Sequence, residues 1–317
     1  MHIAVLLKEV LELLAVKPGG VLIDGTLGMA GHASEMLAAT GRTGRLLGID
    51  KDVQVLELAR EKLGNKKGES ILVHGSHGDM GRIAGENGFT EVDAILLDLG
   101  VSSLQLDTAE RGFSFMRNGA LSMKMDVGAD GVDAAMIVAE YDEKQLAALF
   151  RQYGEEPRAR RIARAIVKAR TGEPIETTLQ LADIVERSVG RTGARNPATR
   201  VFQALRMKVN SEIEELEQAL EDGLRLLKPG GRMAVISFES LSDRIVKRHF
   251  ADHSGRWVSL QKGGERWEGL APPVKRITRK PVVAGDEEIR SNPRSRSAKL
   301  RVVERLEGVP EKKKKRY

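Results

Sequence analysis

Apolar residues open the chain at helical spacing: Ile3, Leu6, Leu7, Val10, Leu11 and Leu14 share one face, and Lys17-Pro18-Gly19-Gly20 ends that helix. The pattern then changes to short unbroken apolar runs: Val21-Leu22-Ile23, Leu46-Leu47-Gly48-Ile49, Ile71-Leu72-Val73 and Ala94-Ile95-Leu96-Leu97. Between the first three runs lie helical patterns, one starting at Ala33 and one over 53 to 63 with Val53, Leu56 and Leu63 on one side. Wholly apolar strands alternating with helices predict an α/β fold, a doubly wound, mostly parallel sheet covered on both faces. The alternation lapses between 107 and 205, where helical patterns take over, and the strand signal returns at Met233-Ala234-Val235-Ile236. Before it, Val209, Ile213, Leu216, Leu220, Leu224 and Leu227 build a long amphipathic helix that stops at Lys228-Pro229-Gly230-Gly231. The expected organisation is a doubly wound domain in two parts, 1–106 and 206–306, interrupted by a helical domain over 107–205 and followed by a basic tail over 307–317.

Chemistry concentrates where the first strand ends. In Asp24-Gly25-Thr26-Leu27-Gly28-Met29-Ala30-Gly31-His32, three glycines at three-residue spacing follow an acid. Glycine at a strand-to-helix turn permits positive φ and lets a ligand approach the backbone. The spacing is not the dinucleotide pattern G-x-G-x-x-G. Asp24 at the end of the first strand suits a cationic ligand, and Asp50 at the end of the second suits a ribose diol. S-adenosylmethionine, with a sulfonium, an amino group and a ribose but no phosphate, meets both acids best. A dinucleotide, or a plain glycine turn with no ligand, are the other readings the segment leaves open.

Composition narrows the partners. The 317 residues carry a formal net charge of +6. Residues 151 to 210 hold 13 Lys and Arg against 6 Asp and Glu, so the rest of the chain is close to neutral and the excess is a patch. A localised basic patch points to a polyanion. Within it, Pro157 opens a helix with Ala159, Ile162, Ala163, Ile166 and Val167 on one face and Arg158, Arg161, Arg164 and Lys168 largely on the other. That basic face reads either as a solvated surface or as a contact for RNA phosphates. Aromatic residues make up 4% of the chain, which argues against a sheet surface that stacks several bases. Cysteine is absent, which removes disulfides, thiolate zinc sites and the thiolate adduct that C5 methylation of a pyrimidine requires. No apolar stretch reaches the ~20 residues of a membrane span. The amino terminus lacks a basic region followed by an apolar core and cleavage site, and the absence of cysteine makes a reducing cytoplasm the expected setting. His74 and His77 with Asp79 have the composition of a metal site, but their spacing is only local, and no metal is expected.

Longer motifs carry a resemblance. Leu227-Lys228-Pro229-Gly230-Gly231-Arg232 before an apolar strand resembles the fifth-strand signature of class I methyltransferases. Leu97-Asp98-Leu99-Gly100-Val101-Ser102-Ser103, then Gln105-Leu106-Asp107 and Arg111-Gly112-Phe113-Ser114-Phe115, resembles the MraW/RsmH family, cytosine-N4 methyltransferases of small-subunit ribosomal RNA. Further blocks follow in the same order: His2 to Glu9, Asp24 to Gly28, Gly154-Glu155-Glu156, Arg161 to Val167, Pro197 to Ala204, Asp243 to Lys247, and Asn292 to Ser297. The resemblance implies a Rossmann-like class I fold with an inserted helical domain, S-adenosylmethionine as cofactor, and small-subunit ribosomal RNA or the small ribosomal subunit as partner. A homodimer stays open. Carried over position by position, the cofactor contacts are Ala30, Gly31, His32, Asp50, Asp98 and Gln105, with His77 beside the adenine. Asp24 and Gly28 join them from the charge and glycine pattern.

This chain departs from the family pattern. Ala30 stands where a second glycine is expected, a small change if its φ is negative. Ser122, Asn196, Glu239 and Ser242 replace an acid, a histidine, a histidine and an acid.

The implied chemistry is direct transfer to the exocyclic amine with no covalent enzyme intermediate. That nitrogen's lone pair is delocalised, so the reaction needs positioning and an acceptor for an N–H. Asp98 with Ser102 and Ser103 is the candidate catalytic set, the serines serving equally well as helix caps. Phe113 and Phe115 are either base-stacking or core residues. Arg111, Arg161, Arg164, Lys168 and Arg200 are the candidate RNA contacts. Two rival readings remain, an RNA-assembly protein that binds the cofactor with weakened catalysis and a divergent methyltransferase on another nucleic acid.

Overall fold

The computed structural model describes residues 4–64, 66–191, 196–261 and 264–310. His2 and Ile3 of the opening pattern, and the basic run 312–316, lie outside the described residues. The chain divides into two compact units, residues 1–100 with 214–317 and residues 101–213.

In the first unit, seven strands form one sheet: β1 (Val21–Asp24), β2 (Arg45–Asp50), β3 (Glu69–His74), β4 (Val92–Asp98), β5 (Leu227–Ser237), β8 (Val274–Arg276) and β9 (Lys299–Arg305), in spatial order β3-β2-β1-β4-β5-β9-β8. The first five run parallel, and β9 and β8 are antiparallel to their neighbours. Leu22 lies opposite Leu46 on one side and Ala94 on the other, so the order reverses at β1. Helices α2 (Gly31–Thr40), α3 (Val53–Leu63) and α4 (Met80–Glu86) connect the first four strands; α11 (Glu212–Leu226) leads into β5 and α12 (Ser240–Ser254) leaves it.

The unbroken apolar runs have a simple cause: alternate residues of each strand serve two cores. Leu22, Leu46, Leu96, Ala234 and Ile236 pack with Val10 and Leu14 of α1 (Leu7–Leu14), Met36 and Leu37 of α2, and Leu56 of α3. Ile23, Leu47, Ile95, Leu97, Met233 and Val235 face the other way, onto Met80, Ile83, Leu216, Leu220, Leu224, Val246 and Phe250. With helices on both faces, these runs have no polar side to show.

Three features differ from the sequence reading. Helix α1 starts at Leu7, because Leu6 is in the left-handed region at φ 54°. A hairpin of β6 (Arg256–Ser259) and β7 (Glu265–Glu268) was not expected, and neither was the β8–β9 pair. Lys299 and Arg301 belong to β9 beside β5. Arg301 is buried and grips Asp243 through Nε–Oδ1 at 2.7 Å and Nη2–Oδ2 at 3.2 Å, with Lys299 Nζ at 3.3 Å from Oδ2. Burial raises the Asp243 carboxyl, but the Arg301 and Lys299 cations outweigh it and hold the group below its ordinary value.

The second unit is helical: α5 (Ser103–Asp107), α6 (Ala134–Glu140), α7 (Glu143–Gln152), α8 (Ala159–Arg170), α9 (Thr178–Val189) and α10 (Ala198–Val209). Capping boxes start α5, α7 and α9, pairing Ser102 with Gln105, Asp142 with Gln145 and Thr177 with Gln180. Ile137, Leu146, Phe150, Ile162, Ile166, Leu181, Val185 and Val201 are buried within it. Phe113 is buried and Phe115 meets Phe202 edge-on at 4.9 Å, which favours packing over base stacking for Phe115. The remaining short helix, α13 (Asp286–Ser291), belongs to the first unit; its Glu288 Oε1 accepts the Leu6 amide at 2.8 Å.

Candidate active site

Asp24, Asp50 and Asp98 close β1, β2 and β4, which are neighbours in the sheet, so three carboxyl groups line its carboxyl edge at the point where strand order reverses. Asp24 is buried, and its Oδ1 accepts the Thr26 amide at 3.1 Å. The Thr26 hydroxyl in turn accepts the Asp98 amide at 2.6 Å, tying the loop after β1 to the end of β4. Asp50 accepts the Gly28 amide on Oδ2 at 2.8 Å and the Asp52 amide on Oδ1 at 3.0 Å. Thr26 was not singled out from the sequence, although a hydroxyl two residues after the strand-ending acid is a local signal for such a bridge.

His32 is buried in the first turn of α2. Its Nε2 lies 2.8 Å from the Val5 carbonyl, which can only accept, so Nε2 carries the hydrogen and Nδ1 faces Asp98 Oδ2 at 3.6 Å. Asp98 Oδ1 is shut off from water and has no hydrogen-bond partner among the described residues; the same holds for Nε2 of the half-buried His77.

The electrostatics follow from that crowding. Burial raises Asp24 to about 7, with His32 and the Thr26 amide pulling it down and Asp98 and Asp50 pushing it up. Burial alone raises Asp98 to about 7, and burial also raises Asp50. The His32 imidazole is lowered by burial against the opposing pull of Asp24, and His77 falls to about 4 through burial and then Lys51. Asp98 and Asp50 both push Asp24 up, and a pyrophosphate would add further negative charge at this edge, which argues against the dinucleotide reading. They suit a ligand bearing positive charge and hydroxyl donors. S-adenosylmethionine has both, so the residues present fit it.

The glycine loop is built for close approach. A Cβ on Gly25 would stand 2.6 Å from Leu97 Cδ2, and one on Gly31 would press Ala4 Cβ at 3.2 Å; Gly28 is left-handed at φ +52°. Ala30 is left-handed too, at φ 54°, against the negative φ that would have made the alanine a small change. Its methyl is fully buried in the core cluster, and this explains the residue. A left-handed alanine costs about 1–2 kcal/mol, while glycine would lose a buried methyl and more chain entropy, about 0.5–1 kcal/mol each. Ala30→Gly will therefore leave stability within about 1 kcal/mol. Ala33→Gly, at a fully buried position of α2, will cost about 2 kcal/mol. Urea midpoints of the two variants check the contrast.

Ser102, Ser103 and Gln105 belong to the second unit. Ser102 Oγ accepts the Gln105 amide at 3.2 Å, and Gln105 Oε1 accepts the Ser102 amide at 3.0 Å, which makes Ser102 the cap of α5. Ser103 is the first residue of α5. Arg111 must be removed from the RNA-facing set: it is buried, and Nη2 donates to the Lys124 and Met125 carbonyls at 3.2 and 2.8 Å. Arg161, Arg164 and Lys168 are exposed on α8, with Arg164 3.4 Å from Glu143, while the exposed Arg200 stands 3.8 Å from the buried Glu156. Among the substituted positions, Asn196 accepts the Ala198 amide at 2.8 Å and so holds the start of α10. Glu239 is the N-cap residue of α12, and Ser242 is buried in its first turn. His74 bonds the Lys51 carbonyl and Asp79 pairs with Arg82, so neither is arranged with His77 as a ligand set.

Five parallel strands in the order 3-2-1-4-5, an antiparallel strand beyond the fifth, and acids at the ends of the first, second and fourth define a class I methyltransferase. The profile of the MraW methylase family matches residues 1–306, and the chain belongs to that family. The ribosomal RNA small subunit methyltransferase H of Geobacter sulfurreducens is 49% identical over 308 residues, covering 96% of this chain and 99% of its own. The protein of the same name from Syntrophotalea carbinolica is 48% identical, covering 96% and 98%. A solved rRNA methylase from Streptococcus thermophilus covers 95% of this chain and 94% of its own, at a TM-score of 0.40 and 11% identity; the class rests on the strand order instead.

Proposed function

We propose that the protein methylates the exocyclic N4 of a cytosine in small-subunit ribosomal RNA, with S-adenosylmethionine as donor. The observation that carries this reading is Asp98, a desolvated carboxyl with one unpartnered oxygen at the end of β4, beside two further strand-ending acids. Asp24 and Asp98 would face the positive charge of the cofactor, Asp50 its ribose, Gly28 to Gly31 its close backbone contacts, and His77 its adenine. When bound, the cofactor supplies an electrophilic methyl group on a cationic sulfur. The chain's own part is to orient and to accept a proton: Asp98 Oδ1 takes a hydrogen bond from the N4 amine, which frees the nitrogen lone pair from the ring and lets the centre become tetrahedral. No thiolate is needed, in keeping with a chain that has no cysteine.

Because N4 is engaged in a base pair within a duplex, the target must be unpaired or extruded. The helical unit would bind the RNA backbone through α8. No helix among the described residues is long and apolar enough to cross a membrane.

Small subunits lacking the modification, incubated with methyl-labelled cofactor, will acquire label on one cytosine, located by mass mapping of the ribosomal RNA. Cofactor binding without transfer to any nucleic acid would leave an assembly protein, and label on another RNA or on DNA would replace the substrate.

A further inference from the structure

A cluster remote from the glycine loop has ligand chemistry of its own. Glu221 of α11 and His249 and His253 of α12 bring one ligand atom each to within 4.8 Å of one another. Both helices belong to the unit that carries the sheet. α12 leaves the carboxyl end of β5 and places the two histidines in its final turns, and α11 carries Glu221 just before β5 begins. The cluster therefore lies at the amino edge of the sheet, opposite the three strand-ending acids.

The two histidines are four residues apart, so they share one helix face. His253 is fully buried, and its Nδ1 lies 2.9 Å from the Pro272 carbonyl. A carbonyl only accepts, so Nδ1 carries the hydrogen and Nε2 presents a lone pair. That Nε2 is buried, has no hydrogen-bond partner among the described residues, and faces Glu221 Oε2 at 3.6 Å. The Nε2 of His249 is likewise buried and has no partner among the described residues. The rings stand 4.6 Å apart. Burial, and then His253, hold the His249 imidazole below its ordinary value. Glu221 Oε1 is taken by Arg225 at 2.6 Å, leaving Oε2 for the cluster. Asp252 and the exposed Arg248 are the other charges nearby.

Nothing among the described residues satisfies the Nε2 atoms of both histidines, which converge with Glu221 Oε2. A cation can. His253 already has its second nitrogen bonded to a backbone carbonyl, the outer-shell arrangement that fixes tautomer and ring direction in metal sites. Nitrogen ligands exclude magnesium and calcium in favour of a first-row divalent ion.

We propose that Glu221, His249 and His253 form a zinc-type divalent metal site that clamps α11 to α12 and to the Pro272 segment. Two imidazoles and one carboxylate leave a fourth position for water. Bonds of about 2.0–2.1 Å require ligand atoms about 3.3 Å apart, so the half-buried Glu221 and His249 close on the fixed His253 by up to about 1.5 Å. The site is independent of the function proposed above.

The test uses the full chain stripped with a chelator. Calorimetric titration with zinc chloride is expected to give one ion per chain and a raised melting temperature. Cobalt(II) is expected to give the visible absorption of a four- or five-coordinate ion, displaced by zinc and not by magnesium. Glu221→Gln and His249→Gln are each expected to weaken zinc by about 100-fold or more and to remove the thermal response. Because His253 is wholly buried, the decisive variants are those at the two half-buried positions, with circular dichroism confirming the fold, alongside the cobalt spectrum of the unaltered protein. Absence of saturable zinc binding, an octahedral cobalt spectrum, or unchanged zinc affinity in both variants overturns the proposal.

Discussion

Asp98→Asn will lower methyl transfer by about 10²–10⁴-fold while making the cofactor-free protein more stable above neutral pH. The two effects have one origin. Burial lifts the Asp98 carboxyl from 3.8 to about 7, so between those values the folded state holds a proton that the unfolded state has released. Stability therefore falls as pH rises through that window and reaches its full penalty above about 7. A neutral amide carries no such penalty, so the variant gains on the parent between pH 4 and 7 and the gap closes below about 4. Asp24, also raised to about 7, adds a second contribution of the same sign. A cationic ligand reverses the preference, because it favours the ionised carboxyls. Cofactor affinity of the parent is expected to rise from pH 6 to 8 with release of protons, and the rise is expected to flatten in the variant. Thermal melts at pH 5 and 8, calorimetry in buffers of different ionisation enthalpy, and single-turnover transfer measure the three quantities. Near-normal turnover would take Asp98 out of the chemistry.

What made this site legible is the burial of parallel strands. β1, β2 and β4 are apolar on both faces, so the first acid after each run marks a strand end, and the three acids could be placed along one edge from pattern alone. The elements that escaped are those whose burial depends on distant partners. β9 reads Lys299-Leu300-Arg301-Val302-Val303-Glu304-Arg305, nearly as polar as a surface strand, yet it sits inside the sheet because Asp243 neutralises Arg301 from 58 residues away. The β6–β7 hairpin rests on Trp257 against Trp267, ring centroids 5.9 Å apart, in an otherwise polar stretch. Charge composition also failed to separate Arg111, spent on backbone carbonyls, from the exposed arginines of α8. The spacing of His249 and His253 was visible, but Glu221 and the Pro272 carbonyl that orients the His253 ring come together only through tertiary packing.

The same distinction between buried and exposed cations makes the RNA contact testable. In α8 the apolar stripe of Ile162, Ala163 and Ile166 is buried, which leaves Arg161, Arg164 and Lys168 facing outward. Arg161 and Lys168 have no ion pair among the described residues, and the Arg164–Glu143 pair at 3.4 Å is exposed and worth at most about 1 kcal/mol. Nothing internal depends on these charges, so replacing all three by glutamine will leave the melting temperature near that of the parent. Binding to small-subunit RNA should weaken by about 10–10²-fold at moderate salt. The slope of log affinity against log salt should fall by about 0.7–0.9 for each phosphate left without its cation, or about 2–3 for all three. Arg111→Gln serves as the opposite control: it strands the carbonyls of Lys124 and Met125, so it should lower stability and leave the salt slope unchanged. If the triple variant keeps the parental slope, α8 is a solvated surface and the polyanion is held elsewhere. If Arg111→Gln alone reduces the slope, its guanidinium leaves those carbonyls for the RNA, and the second unit rearranges on binding.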